Sequence, residues 1–238
     1  MAEKGTLYMI PCPISDSTAV YDVVPEANRR VIDSLDYFIV ENVRSARRFL
    51  SKAGIQRKID ELEFVELNEH TTAGAAVEAM VKPLLQGRSA GVISEAGVPG
   101  VADPGALVVE ACHRRGIRVV PLVGPSSILM AMMASGLNGQ SFAFCGYIPA
   151  KTEERRSRLR TLEKVSAQLK QTQIIIETPY RNDSLFSDIL SVCNGSTRVC
   201  IAADITLPEA FIKTRKVSEW KKEKLVIGKR PCVFLILS

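Results

Sequence analysis

Three short stretches concentrate the residue types that could handle a ligand. The first, P-C-P-I-S-D (Pro11 to Asp16), follows an apolar run. Pro11 and Pro13 fix its path and lack N–H groups, so it offers carbonyls more than donors. The second, S-E-A-G-V-P-G-V-A-D-P-G (Ser94 to Gly105), sets Gly97, Gly100 and Gly105 among two prolines and carries the carboxylates Glu95 and Asp103. Glycine lets a backbone come close to a ligand, and the residue before a proline is held out of helical geometry. The third, G-P-S-S-I (Gly124 to Ile128), brings the hydroxyls of Ser126 and Ser127 to the start of an apolar helix. There they would cap the helix or reach a ligand. Neither G-x-G-x-x-G nor G-x-x-x-x-G-K-[ST] occurs, so these loops follow neither of the common phosphate-binding patterns.

Other chemistries find little support. There is no G-x-S-x-G for a serine nucleophile. The six cysteines, Cys12, Cys112, Cys145, Cys193, Cys200 and Cys232, sit in apolar surroundings without a C-x-x-C, and the two histidines are His70 and His113. That spacing supplies neither a zinc site nor a disulfide framework. The thiols read as small buried residues of a reducing compartment. His113 lies beside Arg114 and Arg115 on an amphipathic stretch and is expected in solvent. His70, in L-N-E-H-T-T after a strand, is placed for substrate contact or for capping the next helix.

The elements that must position these loops follow from periodicity. Apolar runs at 6–11, 37–41, 63–67, 90–94 and 118–122 alternate with amphipathic stretches, which predicts a mostly parallel sheet covered by helices. Pro83 falls inside one predicted helix and should kink or shorten it. Beyond P-L-V-G-P-S-S the pattern changes: strands are predicted at 141–147, 173–177, 198–204 and 231–237, with an alternating segment at 210–217. The last three are spaced closely enough to pair antiparallel, so the second sheet should be mixed. The expected organisation is two α/β domains, 1–121 and 122–238, with a ligand at the carboxyl ends of the strands, where helix N-termini and variable loops gather.

A chain of 238 residues with 46% apolar content can build a sizeable core, and it shows no run long enough to span a membrane and no signal-peptide pattern. A soluble, cytoplasmic protein is the expectation. Charge is uneven: residues 1–121 carry 14 Lys and Arg against 16 Asp and Glu, whereas 122–238 carry 17 against 10. The second half is therefore suited either to a solvated surface or to a polyanion.

The strings G-T-L-Y-M-I-P-C-P-I, S-E-A-G-V-P-G-V-A-D-P-G, G-I-R-V-V-P-L-V-G-P-S-S, F-A-F-C-G-Y-I-P-A-K-T-E-E-R-R and E-T-P-Y-R together resemble the tetrapyrrole methylase-like family of S-adenosylmethionine (SAM) dependent methyltransferases. The likeness is greatest to its members that methylate a ribose 2′-hydroxyl of small-subunit ribosomal RNA. It implies a non-Rossmann methyltransferase of two α/β domains, a homodimer, with SAM in the cleft between the domains and no metal. Carried over by position, the cofactor residues would be Pro13, Ile14, Glu95, Ala96, Gly97, Val98, Val101, Ser126, Ser127, Ile128, Glu177 and Thr178, with Asp204 and Pro231 beside the adenosyl pocket. Arg44, His70, Lys151, Arg155, Arg156, Arg158 and Arg181 would meet RNA. No residue is assigned as general base. The family's P-T-P-I-G-N-L, S-D-A-G-T-P and E-D-T-R appear here as P-C-P-I-S-D, S-E-A-G-V-P and E-N-V-R, changes that fall largely in loops facing substrate. Two other functions remain open: methylation of a corrin or porphyrin precursor, and a non-catalytic RNA-binding module.

Overall fold

The three inner strands of the first half are apolar at nearly every position because helices cover both faces of their sheet, whereas its two edge strands carry charged residues at their ends. The computed structural model describes residues 3–67, 71, 74–102 and 105–238. They fall into two units, Met1–Ser126 and Ser127–Ser238.

The first unit runs β1 (Thr6–Ile10), α1 (Val20–Val23), α2 (Arg29–Ser34), β2 (Tyr37–Val40), α3 (Val43–Lys52), β3 (Glu63–Glu66), α4 (Gly74–Leu85), β4 (Ala90–Ile93), α5 (Gly105–Arg114) and β5 (Arg118–Pro121). All five strands are parallel, in the order β3-β2-β4-β1-β5. Alternation splits each strand between two cores. Leu7, Met9, Tyr37, Ile39 and Val92 pack with Val81, Leu84 and Val108 of α4 and α5. Ile10, Phe38, Val40 and Ile93 pack with Val20, Ile32, Phe49 and Leu50 on the other face. Pro83 sits in the last turn of α4, where the amide it lacks would have bonded one residue of the preceding turn, and the helix stops two residues later.

The second unit continues with α6 (Ser127–Ser135), β6 (Phe142–Tyr147), α7 (Thr152–Leu169), β7 (Thr172–Ile176), α8 (Asn182–Val192), β8 (Arg198–Ala203), β9 (Phe211–Lys216), α9 (Val217–Trp220) and β10 (Cys232–Leu237). Its sheet, β6-β7-β10-β8-β9, pairs β6 with β7 parallel and the remaining neighbours antiparallel. The mixed sheet expected from strand spacing is present. The last strand, β10, lies at its centre with all six residues buried. One face carries α7, α8 and α9 over Ile175, Val199, Ile201, Phe234 and Ile236, and α6 packs against β8, β9 and β10. Trp220 is fully buried, donates Nε1–H to Val199 O at 2.9 Å and meets Phe186 edge-on.

The division after Ser126 leaves segment 122–126 with the first unit rather than the second. Two contacts hold it there. Asn28 Nδ2 donates to Val123 O at 2.8 Å. Gly124 lies so near Pro11 that a Cβ would come within 2.2 Å of the proline ring.

Candidate functional site

In the first unit, the three loops singled out by their composition meet at the carboxyl edge of the sheet. β1 ends at Ile10, and Cys12 then forms an antiparallel bridge with Gly97, its N–H donating to Gly97 O at 2.8 Å and Gly97 N–H returning to Cys12 O at 3.2 Å. Gly97 has φ +68° and Gly100 φ +83°, the left-handed region that glycine enters without steric cost. The third loop closes on both: Gly124 touches Pro11, and Pro125 O stands 3.6 Å from the point a Cβ on Gly97 would occupy. Around this junction Pro13, Ile14 and Val98 are half-buried, Glu95 and Ala96 exposed, and Val101 is 45% exposed. Asp103 and His70 lie outside the described residues.

Carboxylates border the junction. Asn42 caps α3, its Oδ1 accepting from Ser45 N at 3.0 Å, and so aims the Ser45 hydroxyl at Glu95 Oε1, also 3.0 Å away. Glu41 Oε2 accepts from Glu95 N at 3.2 Å, and Glu66 Oε1 from Val43 N at 3.3 Å. The asparagine of E-N-V-R is thus a helix cap that fixes the Glu95 loop. Glu41 and Glu66 escaped the sequence reading; their signal was position, each acid standing at the end of an apolar strand. A cavity of about 30 Å³ between the first loop and α3, lined by Ser15, Thr18 and Ser94 among others, has room for a water rather than a ligand.

In the second unit four of the candidate residues lie at one sheet edge, while Ser127 and Ile128 open α6. Glu177 and Thr178 follow β7, Asp204 follows β8, and Pro231 precedes β10, with Asp204 N donating to Pro231 O at 3.0 Å. Glu177 is 5% exposed. Its Oε1 accepts from Thr178 N at 2.7 Å and from Arg181 Nε and Nη2 at 2.9 and 2.5 Å. Its Oε2 is buried and meets no donor among the described residues. A buried carboxylate oxygen without a donor is costly, so this atom suits a ligand that brings N–H or O–H. Asp204 pairs with Arg230, whose Nη2 also reaches Glu209 O at 2.9 Å. Asp204 and Thr206 both have positive φ, +51° and +82°. For a β-branched residue that conformation stores about 1–3 kcal/mol of strain.

The cations offered for RNA separate into two groups. Arg44, Lys151 and Arg158 are exposed, and Lys151 makes an open ion pair with Glu154 at 3.4 Å. Arg155 needs a correction: it is 5% exposed, donates to Asp188 Oδ2 at 2.7 Å and to Ala150 O at 2.8 Å, and pins α7 to α8. A guanidinium so enclosed has no face for a phosphate. Arg156, half-buried, takes the other oxygen of Asp188 at 2.7 Å. Burial opposes ionisation of Asp188, but the hydrogen bonds from Arg156 and Arg155 outweigh it and hold the carboxyl below its ordinary range. Arg181 is committed to Glu177.

Over residues 22–220 the sequence matches the family of Tetrapyrrole (Corrin/Porphyrin) Methylases. The chain belongs to that family. It is 34% identical over 200 residues to the ribosomal RNA small subunit methyltransferase I of Vibrio cholerae, a match covering 84% of this chain and 65% of that one. It is also 34% identical over 203 residues to the protein of the same name from Xylella fastidiosa, covering 85% and 69%. The chain thus spans less than two thirds of the length of the Vibrio relative. A crystal structure of diphthine synthase shares the fold, with a TM-score of 0.69 and 13% identity over 98% of this chain and 90% of that one.

As a member of the tetrapyrrole methylases, the chain has residues that fit SAM. The ligand is a cation bearing an ammonium, ribose hydroxyls and an adenine amine. In the first unit the exposed Glu95 carboxylate and a bend of small residues at Ala96 and Gly97 suit such groups, and in the second, taken by itself, so does Glu177 Oε2, which meets no donor among the described residues. Thiol chemistry is disfavoured. Burial, with Asp16 adding to it, pushes the Cys12 thiol far up, and burial raises Cys112 to about 11 and Cys193 and Cys232 to about 12. His113 is exposed, as its neighbours implied. No group of His, Cys, Asp and Glu among the described residues could hold a metal ion.

Proposed function

We propose that this chain is a SAM-dependent methyltransferase that modifies a ribose 2′-hydroxyl of small-subunit ribosomal RNA, acting in the cytoplasm as a homodimer. The observation that carries the reading is the convergence of the P-C-P-I, E-A-G-V and G-P-S loops on one bridged junction, in a chain 34% identical to ribosomal RNA methyltransferases. SAM supplies a methyl group activated on a sulfonium. Pro13, Ile14, Glu95, Ala96, Gly97, Val98, Val101 and Ser126 of the first unit would hold it, with Ser127, Ile128, Glu177, Thr178, Asp204 and Pro231 of the second, in a cleft between the two domains. Fixing the hydroxyl in line with the transferred methyl is the largest service these residues perform, since orientation alone removes several kcal/mol of barrier. Arg44, Lys151 and Arg158 would hold phosphates in register, and Lys151 is released easily because an exposed ion pair is worth about 0–1 kcal/mol.

Incubation with methyl-labelled SAM, unmodified small-subunit RNA and, in parallel, a tetrapyrrole mixture tests the reading. Label in RNA as a 2′-O-methyl nucleoside is expected. Label confined to the tetrapyrrole, or salt-dependent RNA binding without SAM uptake, would replace it with one of its rivals.

A further inference from the structure

Tyr180 is 79% exposed, at the sheet edge that carries Glu177 and Thr178. A lone surface tyrosine means little. This one is held by an unusual amount of structure. It occupies the middle of the single helical turn Pro179–Arg181, opened by a proline of fixed φ and closed by Arg181 N donating to Thr178 O at 2.9 Å. Arg181 anchors that turn to the buried Glu177. Lys229 Nζ stands 4.9 Å from the centre of the Tyr180 ring.

The segment bearing Lys229 is clamped to the start of α8 by four further hydrogen bonds. Asn182, fully buried, donates Nδ2 to Gly228 O at 3.0 Å and Arg230 O at 2.7 Å, one on either side of Lys229. Asp183 accepts from Ile227 N at 2.7 Å and Gly228 N at 3.1 Å. Two residues that follow the tyrosine turn directly therefore hold the lysine in register with the ring. Core packing of Ile227 and burial of Asn182 fix the backbone of this segment, while Tyr180 and Lys229 themselves stay exposed.

An exposed ring on a hydrogen-bonded turn beside a cation has the chemistry that binds a nucleobase with its phosphate: stacking on the aromatic face, charge on the backbone. We infer that Tyr180 and Lys229 form a stacking platform for one base of a single-stranded RNA segment of the substrate, Tyr180 taking the base and Lys229 the adjoining phosphate. The inference rests on the RNA methyltransferase reading and adds to it a positioning residue for substrate. Neither side chain is assigned to the cofactor.

The test titrates protein into a short single-stranded RNA containing 2-aminopurine, whose fluorescence falls when it stacks, and measures SAM binding by calorimetry on the same samples. Wild-type protein should quench the probe. Tyr180→Ala should raise the dissociation constant tenfold or more and abolish the quench, and Tyr180→Phe should stay within about twofold, because the ring is kept. Lys229→Ala should weaken binding and lower the salt slope by about one. SAM affinity and thermal midpoint should hold constant in all three. Equal quenching by wild type and Tyr180→Ala, or RNA methylation with unchanged KM in Tyr180→Ala, overturns the platform while leaving the methyltransferase reading intact. Quenching by wild type with label going only to tetrapyrrole defeats that reading and, with it, the platform's part in positioning a substrate, leaving only a surface that stacks RNA, and no RNA binding by wild type defeats both.

Discussion

The two units shape their strand-end loops by different means. In the first, the backbone dominates: the Cys12 and Gly97 amides bridge two loops, Gly97 and Gly100 take left-handed turns, and the third loop lies on Pro11 because Gly124 has no side chain, with Glu41 and Ser45 adding side-chain bonds to Glu95. In the second, charged side chains do it: Arg181 on Glu177 and Arg230 on Asp204, while Arg155 and Arg156 on Asp188 tie α7 to α8 behind them. Where two loops lie against each other, close approach needs missing side chains. Where polar groups are left half-enclosed, they must be paired. Mutation should therefore act on shape in the first unit and on charge balance in the second.

Asp188→Ala should have the largest effect. It strands Arg155 as an unpaired buried cation, and unfolding in urea should show a loss of about 3–5 kcal/mol. Replacing Asp188 and Arg155 together by apolar residues of similar volume should recover most of that loss, because an enclosed ion pair gains little over good packing. A double variant no more stable than Asp188→Ala would break the charge half of the comparison.

Next comes Gly124→Ala, whose Cβ meets the Pro11 ring. About 1–3 kcal/mol of destabilisation is expected, with weaker SAM binding by calorimetry as the first and third loops part. Gly97→Ala should cost about 1–2 kcal/mol through its φ, since a Cβ there would meet Pro125 O at an ordinary contact distance of 3.6 Å. If Gly97→Ala proved the more harmful of the two, close approach would not be what shapes the junction.

The pH dependence sharpens the charge half. Asp188 has a folded-state pKa below its unfolded value of about 3.9. Its contribution is complete above that value and is lost as pH falls through the lower, folded one. Chemical denaturation between about pH 5 and 2 should show stability falling with acid in the wild type and falling less steeply in Asp188→Asn. The smallest effect is chemical: with all six thiols raised by burial, a disulfide reagent at neutral pH should label the native protein slowly and the unfolded chain at once.

Much of the scaffold was legible. Each strand of the first sheet was marked by a run such as Y-F-I-V or A-G-V-I, and its helices by amphipathic stretches between, because burial on two faces leaves a pattern that survives in one dimension. The glycine and proline clusters marked the loops for the same local reason. Arg155 was misread, since a basic residue in E-E-R-R-S-R carries no sign of Asp188, 33 positions away. The Glu177 and Arg181 pair could have been suspected from its spacing of four, but not that one oxygen of Glu177 is left without a donor.

Sequence by itself determined the alternation of elements, the excess of cations in the second half and which loops would bend. Tertiary structure alone decided that Gly124 rests on Pro11, that β10 enters the middle of its sheet, and which arginines face water. Periodicity and turn preference depend on neighbours within a few residues, whereas contacts and charge burial depend on what the fold brings in from far along the chain.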